Sequence, residues 1–113
     1  MKCPARLTMY IMISAIAGTC NATELVGQRT CRLWLVHKGR TSEISWTQIA
    51  AQQWLAGYLS GLATGTGVDA LKDVNMEAIY MSMDNFCRAN PTMSLKDGGD
   101  RIFDDLRSKR AAN

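Results

Sequence analysis

The chain of 113 residues holds a single histidine, so a zinc site built on several histidines is excluded. It has little charge of one sign to spare: 13 lysines and arginines stand against 10 aspartates and glutamates, a net +3. That surplus is too small to read as a nucleic-acid footprint. It also lacks a long apolar run. The stretch near the N-terminus, Leu7 to Ala17, covers 11 residues, where a membrane-spanning helix needs about 20. No segment alternates apolar and polar residues for long, as half-buried strands do, and there are no repeats. What is present is 47% hydrophobic and 20% charged. These are globular proportions, in a length that holds one core.

The start of the chain reads as an export signal. Lys2 and Arg6 form a small positive region, Leu7 to Ala17 an apolar core, and small residues follow. Two cleavage sites fit: one after Ala17, with Ala15 two residues before it, the other after Ala22, preceded likewise by Cys20. A lipidated Cys20 fits less well, because Thr19 stands where a smaller residue is expected. An uncleaved N-terminal anchor is the remaining alternative. The expected organisation is a signal peptide over 1–22 and one helical domain over 23–113, in the periplasm. Cleavage removes two basic residues and no acid, so 13 falls to 11 against 10, and the basicity belongs mostly to the signal.

The cut after Ala22 also removes Cys3 and Cys20 and leaves Cys31 and Cys87. Two cysteines in an exported chain read as one disulfide. Closing a loop of about 57 residues would stabilise the fold by about 4 kcal/mol in chain-entropy terms, beside the roughly 5–10 kcal/mol net of a small domain. The alternative, a reactive Cys31 thiol near His37, has no other support in the chain.

Helical periodicity predicts four helices. The first is expected over Thr23 to Lys38, capped by Thr23 with Glu24 in its first turn, and stopped by Gly39 after His37 and Lys38. Leu25, Gln28, Cys31 or Arg32, and Leu35 share a face, which Trp34 widens. His37 reads as a surface residue at the helix end rather than a ligand. Gly39 to Ser45 is a polar connector. Ser45-Trp-Thr-Gln48 has the form of a capping box and opens a helix to about Ser60. Ala50, Trp54, Gly57, Tyr58 and Gly61 are expected along one face. Two glycines cost about 1 kcal/mol each in a helix interior, so Gly57 and Gly61 predict close approach of a partner helix. Trp54 and Tyr58 read as packing residues rather than an aromatic binding face.

Leu62 to Asp69, LATGTGVD, is expected to be a flexible loop. It lacks the lysine and the preceding strand of a phosphate-binding loop, and loops of this kind often carry recognition. The third helix is expected over Asp73 to Ala89. Its stripe is Met76, Ile79, Tyr80, Met83 and Cys87 with Phe86 beside it, and Asp84 and Asn85 are expected on the other side. The methionines read as core fillers. Pro91 disfavours helix at Asn90. Ser94-Leu-Lys-Asp97 is a weaker capping box, with Asp where Glu or Gln is usual. Leu95, Ile102, Phe103 and Leu106 are the inward side of the fourth helix, which Gly98 and Gly99 weaken in its first turn. Asp100, Arg101, Asp104, Asp105, Arg107, Lys109 and Arg110 read as a solvated face. The fold class is therefore all-α, a four-helix domain with one disulfide between the first and third helices.

The run Trp54-Leu-Ala-Gly-Tyr58-Leu-Ser-Gly61 followed by Met83-Asp-Asn-Phe-Cys87-Arg-Ala-Asn-Pro91 resembles the Rap/Tai immunity proteins of bacterial type VI secretion. These are small periplasmic helical proteins with an early cysteine, a W-x-x-G-Y-x-x-G segment and a late C-x-x-x-P segment. The resemblance spans about Cys31 to Leu106. It implies a Cys31–Cys87 pair, and core-shaping roles for Trp54, Gly57, Tyr58, Gly61 and Pro91. It also implies a homodimer that plugs the active site of a cell-wall amidase effector through an inter-helix loop. Gly61 to Asp69 is the candidate here, with Leu62, Thr64, Gly65, Thr66, Gly67 and Asp69 as contact residues. Phe86 stands where tyrosine is common, and Gly98-Gly99 where alanines are usual. A second reading is an exported chaperone similar to the HdeA type, activated as carboxylates protonate in acid; a cell-envelope accessory role is a further alternative. The aromatic-glycine segment is not a feature of that chaperone. An enzyme needs nucleophile, base and orienting group within reach. With one histidine and two cysteines expected in a disulfide, the reading is a toxin-inhibiting binding protein without catalysis, metal or cofactor.

Overall fold

The computed structural model describes residues 27–36 and 45–112. Among them the chain forms α1 (Cys31–Val36), α2 (Trp46–Thr66), α3 (Met76–Ala89) and α4 (Leu95–Ala111), with no strand and one isolated bridge between Thr30 and Ser94. The expected signal segment, Thr23, Glu24, His37, Lys38 and residues 39–44 of the expected connector lie outside the described residues.

α4 packs against both α2 and α3, and α1 packs against α3. Leu55 and Leu59 of α2, Ile79 and Met83 of α3, and Leu95, Ile102 and Phe103 of α4 meet in the centre. The Cys31–Cys87 disulfide joins α1 to α3 with a Cα–Cα distance of 5.0 Å, and both cysteines are fully buried. The short α1 has too few turns to hold itself. It is held by the disulfide and by the segment before it, which lies against the start of α4. The Cys31 N–H donates to the Met93 carbonyl at 2.9 Å, and the Leu95 N–H to the Arg29 carbonyl at 2.8 Å.

That pairing corrects the expected start of the first helix. Residues 27–30 are extended or turning rather than helical, and Gly27 takes a left-handed φ of +75°. A Cβ at Gly27 would stand 3.2 Å from Trp54 Cδ1, so the turn also seats the chain on the indole.

α2 runs past the expected end at Ser60 to Thr66. Leu62, Thr64, Gly65 and Thr66 are therefore helical, not loop. Leu62 and Ala63 carry the apolar face onward against the core. Hydroxyls that could have competed with the helix bond back into it, Ser60 Oγ to the Ala56 carbonyl (2.7 Å) and Thr66 Oγ1 to the Leu62 carbonyl (2.6 Å). Gly67, with φ +69°, supplies the left-handed residue that ends the helix. At the other end Ser45 Oγ accepts the Gln48 N–H, as the capping motif predicts.

α3 begins three residues later than expected. Asp73 adopts φ +59°, which no helix accommodates, and Asn75 becomes the cap by accepting the Glu77 N–H at 2.9 Å. α4 opens with a complete capping box: Ser94 Oγ accepts the Asp97 N–H while the Asp97 carboxylate accepts the Ser94 N–H.

The glycines reverse the expectation. Gly57 and Gly61 are exposed, and a Cβ on either would meet nothing within 4 Å. Gly98 and Gly99 are buried instead. A Cβ at Gly98 would lie 2.5 Å from Met83 Sδ and 2.8 Å from Phe86 Cδ1; one at Gly99 would lie 2.8 Å from Tyr58 Cδ1. Close approach therefore occurs where α4 meets α3 and α2, not on the glycine face of α2.

Candidate functional site

The residues between α2 and α3, 67–75, form the connection that could reach a partner. The loop lies later in the chain and is firmer than the sequence implied. Ala70 is fully buried, and Val68, Leu71 and Val74 lean on the core. Two tight turns close it, from the Ala70 N–H to the Val68 carbonyl (2.8 Å) and from the Val74 N–H to the Leu71 carbonyl (3.1 Å). The Arg110 guanidinium, at the far end of α4, donates to the Lys72 carbonyl. Apolar residues thus pin every second or third position, and the polar ones between them, Asp69, Lys72 and Asp73, face out. Asp73 holds its left-handed conformation at the tip; aspartate tolerates this better than most residues.

Of the contact residues expected from sequence, Gly67 and Asp69 lie in this loop. Thr64, Gly65 and Thr66 are exposed in the last turns of α2 beside it, and Leu62 is half-buried against the core. Sequence reasoning missed Ala70 and Asp73. The spacing of Val68, Leu71 and Val74 was the available sign that this loop is anchored.

Trp54 and Tyr58 are a packing unit, as the periodicity predicts. Their rings stack with centroids 5.1 Å apart and planes 9° from parallel. Tyr58 lies over Gly99, and its hydroxyl donates to Asp100 Oδ1 at 2.5 Å; Lys96 Nζ holds the other carboxylate oxygen at 2.6 Å. Partial burial, and then the Asp100 carboxylate, push the Tyr58 hydroxyl pKa far up. Asp97 is held below the usual carboxylate range, first by the Ser94 hydroxyl and then by the Ser94 backbone N–H. Pro91 is exposed in the turn after α3, so it ends the helix without entering the core.

Asp84 departs from its expected place on the outer side of α3. It is only 7% exposed, and Trp34 Nε1 donates to its Oδ1 at 2.6 Å. With Trp34 tilted against Tyr80 at 6.2 Å, this bond fixes α1 one turn from the disulfide. Removing the indole would take a hydrogen-bond partner from a buried polar side chain, a costly change.

The outer face of α2 carries no charged side chain. Its 21 residues include no Asp, Glu, Lys or Arg. Ala50, Gln53, Gly57, Ser60, Gly61 and Thr64 are all exposed along it, and Trp46 at its start is 82% exposed. A helix so uniformly uncharged normally faces another element. No described helix is long and apolar enough to cross a membrane, and no group of three His, Cys, Asp or Glu among the described residues could hold a metal ion. Compared with protein-family models, curated proteins and solved structures, the chain matches none.

Proposed function

We propose that this protein is an exported, periplasmic immunity protein that neutralises a cell-wall amidase effector of type VI secretion. It does so by occluding the effector's active site, with no catalysis of its own. The observation that carries the reading is the anchored loop over 67–75. An inhibitory plug must keep its shape when it enters a cleft, because ordering a floppy loop on binding costs affinity. Here Ala70 and the Arg110–Lys72 contact hold the loop down while Asp69, Lys72 and Asp73 stay accessible. The plug is accordingly centred on Gly67 to Asp73, with Thr64, Gly65 and Thr66 as its rim. The homodimer implied by the resemblance is supported by the uncharged outer face of α2, which carries Trp46. Two such faces bring no like charges together.

The test is a pull-down from envelope extract at neutral pH with the oxidised protein as bait, followed by mass spectrometry. One stoichiometric cell-wall hydrolase is expected. Its activity should be inhibited by the protein, and inhibition should be lost when Asp69, Lys72 and Asp73 are replaced together by alanine. Catalytic turnover by the purified protein itself, abolished by changing one side chain, would sink the proposal. Capture of many clients only near pH 2–3 would replace it with the chaperone reading.

A further inference from the structure

The second motif, Met83 to Pro91, is only half explained by the core. Met83 and Cys87 point inward, whereas Asn85, Phe86 and Asn90 line an open groove of about 510 Å³ between α3 and α4. Ser82 and Met93 complete that side, and Arg101, Ile102 and Asp105 of α4 form the opposite wall. The groove lies toward the α3–α4 turn, at the other end of α3 from the 67–75 loop, and it does not depend on the function proposed above.

Its chemistry is mixed in a particular way. The floor is apolar: Ile102 is buried, Phe86 half-buried, and Met93 is an exposed thioether able to adapt to a ligand. Each wall offers both donors and acceptors. The Asn90 carboxamide is fixed by donating Nδ2–H to the Phe86 carbonyl at 2.9 Å, which leaves its oxygen as an oriented acceptor. The Asn85 carboxamide is exposed and has no hydrogen bond to a described residue. Opposite, Arg101 Nε and Asp105 Oδ1 are 3.7 Å apart, too far for a hydrogen bond. Both groups therefore keep their hydrogen-bonding capacity, and their charges cancel.

A neutral groove with an apolar floor and both donors and acceptors on each rim suits an extended backbone, which presents N–H and C=O groups to either side. A free phosphate or a strongly charged ligand has no matching surplus of charge here. A sugar would want an open aromatic face, and the ring in the floor is half covered. The volume falls within the usual range for ligand sites. We infer that the α3–α4 groove binds a short extended peptide segment, with one apolar side chain seated on Phe86, Met93 and Ile102 and its backbone held by Asn85, Asn90, Arg101 and Asp105.

The probe is a phage-displayed library of random dodecapeptides, selected on the oxidised protein. Enriched peptides should share one apolar residue among uncharged neighbours. As synthetic peptides they should lose about tenfold or more in affinity with Arg101→Ala, the scale of a lost charged hydrogen bond. Ser82→Trp, which fills the groove from an exposed position, should abolish binding, while Asp104→Ala, outside it, should leave binding unchanged. Unaltered circular dichroism and melting of each variant guard against misfolding. Failure to enrich any sequence, or full binding to the Ser82→Trp protein, overturns the inference. So does a titration in which diacetylchitobiose, and no peptide, shifts the amides of Asn85, Phe86 and Ile102; that result would make the groove a glycan site.

Discussion

Two pairs of glycines sit in helices of this domain and do opposite things. Gly98 and Gly99 of α4 are buried where a Cβ would come within 3 Å of Met83, Phe86 or Tyr58. Gly57 and Gly61 of α2 are exposed with open space over them. Both pairs carry the same intrinsic cost, about 1 kcal/mol per glycine against alanine. Only the inner pair recovers it locally, by letting α4 come close enough to bury Leu95, Ile102 and Phe103. The outer pair recovers nothing inside the described chain, and this directs attention to what α2 meets outside it.

Substitution at the inner pair has the largest expected effect. Gly99→Val drives a branched side chain into the Tyr58 ring and into Leu55, 3.6 Å from the glycine's ideal Cβ position. Overpacking of this kind costs about 3 kcal/mol, well above any gain in helix propensity. Urea unfolding should show the midpoint falling with little change in slope. A Gly99→Val protein as stable as the parent would mean that α4 is free to move away from α2. Tyr58→Phe is the milder form of the same test. The ring stays over Gly99 but the bond to Asp100 is lost, and about 1 kcal/mol should go with it.

The capping box of α4 tests whether this helix is held at its start as well as along its side. Ser94→Ala should cost about 1 kcal/mol near neutral pH. The pH dependence has a definite sign. Asp97 is stabilised as the carboxylate in the folded state. Its contribution is therefore complete above the unfolded carboxylate range of about 4, and is lost as the pH falls through the lower folded value. In the Ser94→Ala protein that acid-side loss should shrink, because the donors that depress the Asp97 pKa are reduced. Unfolding curves taken at several pH values between about 6 and 2 would reveal a parallel decline if Asp97 owed its shift to something else.

The difference between the glycine pairs was half readable in the sequence. In α4 the charged residues Asp100, Arg101, Asp104, Asp105 and Arg107 mark the outside, so the inward face is determined. Gly98 and Gly99 stand three and four residues after Leu95, and four and three before Ile102, and so fall on that face. The spacing places both glycines inward, whereas their low helix propensity taken alone implies only a weakened first turn. In α2 nothing marks the outside. With no charged residue on any side, the Trp54–Gly57–Tyr58–Gly61 register was as good a candidate for the core as the true one, Ala51, Leu55 and Leu59. The four helices and the Ser45 and Ser94 caps followed from local chemistry, and the disulfide from the cysteine count of the chain expected after cleavage. The Asp84–Trp34 bond and the anchored loop did not, because each depends on a partner dozens of residues away, Trp34 for Asp84 and Arg110 for the Lys72 carbonyl.

The outer pair gives the smallest effect and the most informative one. Gly57→Ala and Gly61→Ala add methyl groups to open space, so in dilute protein each should raise stability by about 0.5–1 kcal/mol through helix propensity alone. The sign is opposite to that at Gly99. If two copies pack through the uncharged face of α2, the same methyl groups hold the two helices apart. Sedimentation at high concentration should then record a weaker dimer from protein that is more stable as a monomer. Trp46→Ala should weaken the dimer too, but without stabilising the monomer, since it changes an exposed side chain in the first turn rather than a glycine. Glycine variants that gain stability and leave association unchanged would show that the partner of this face is not a second copy of the chain.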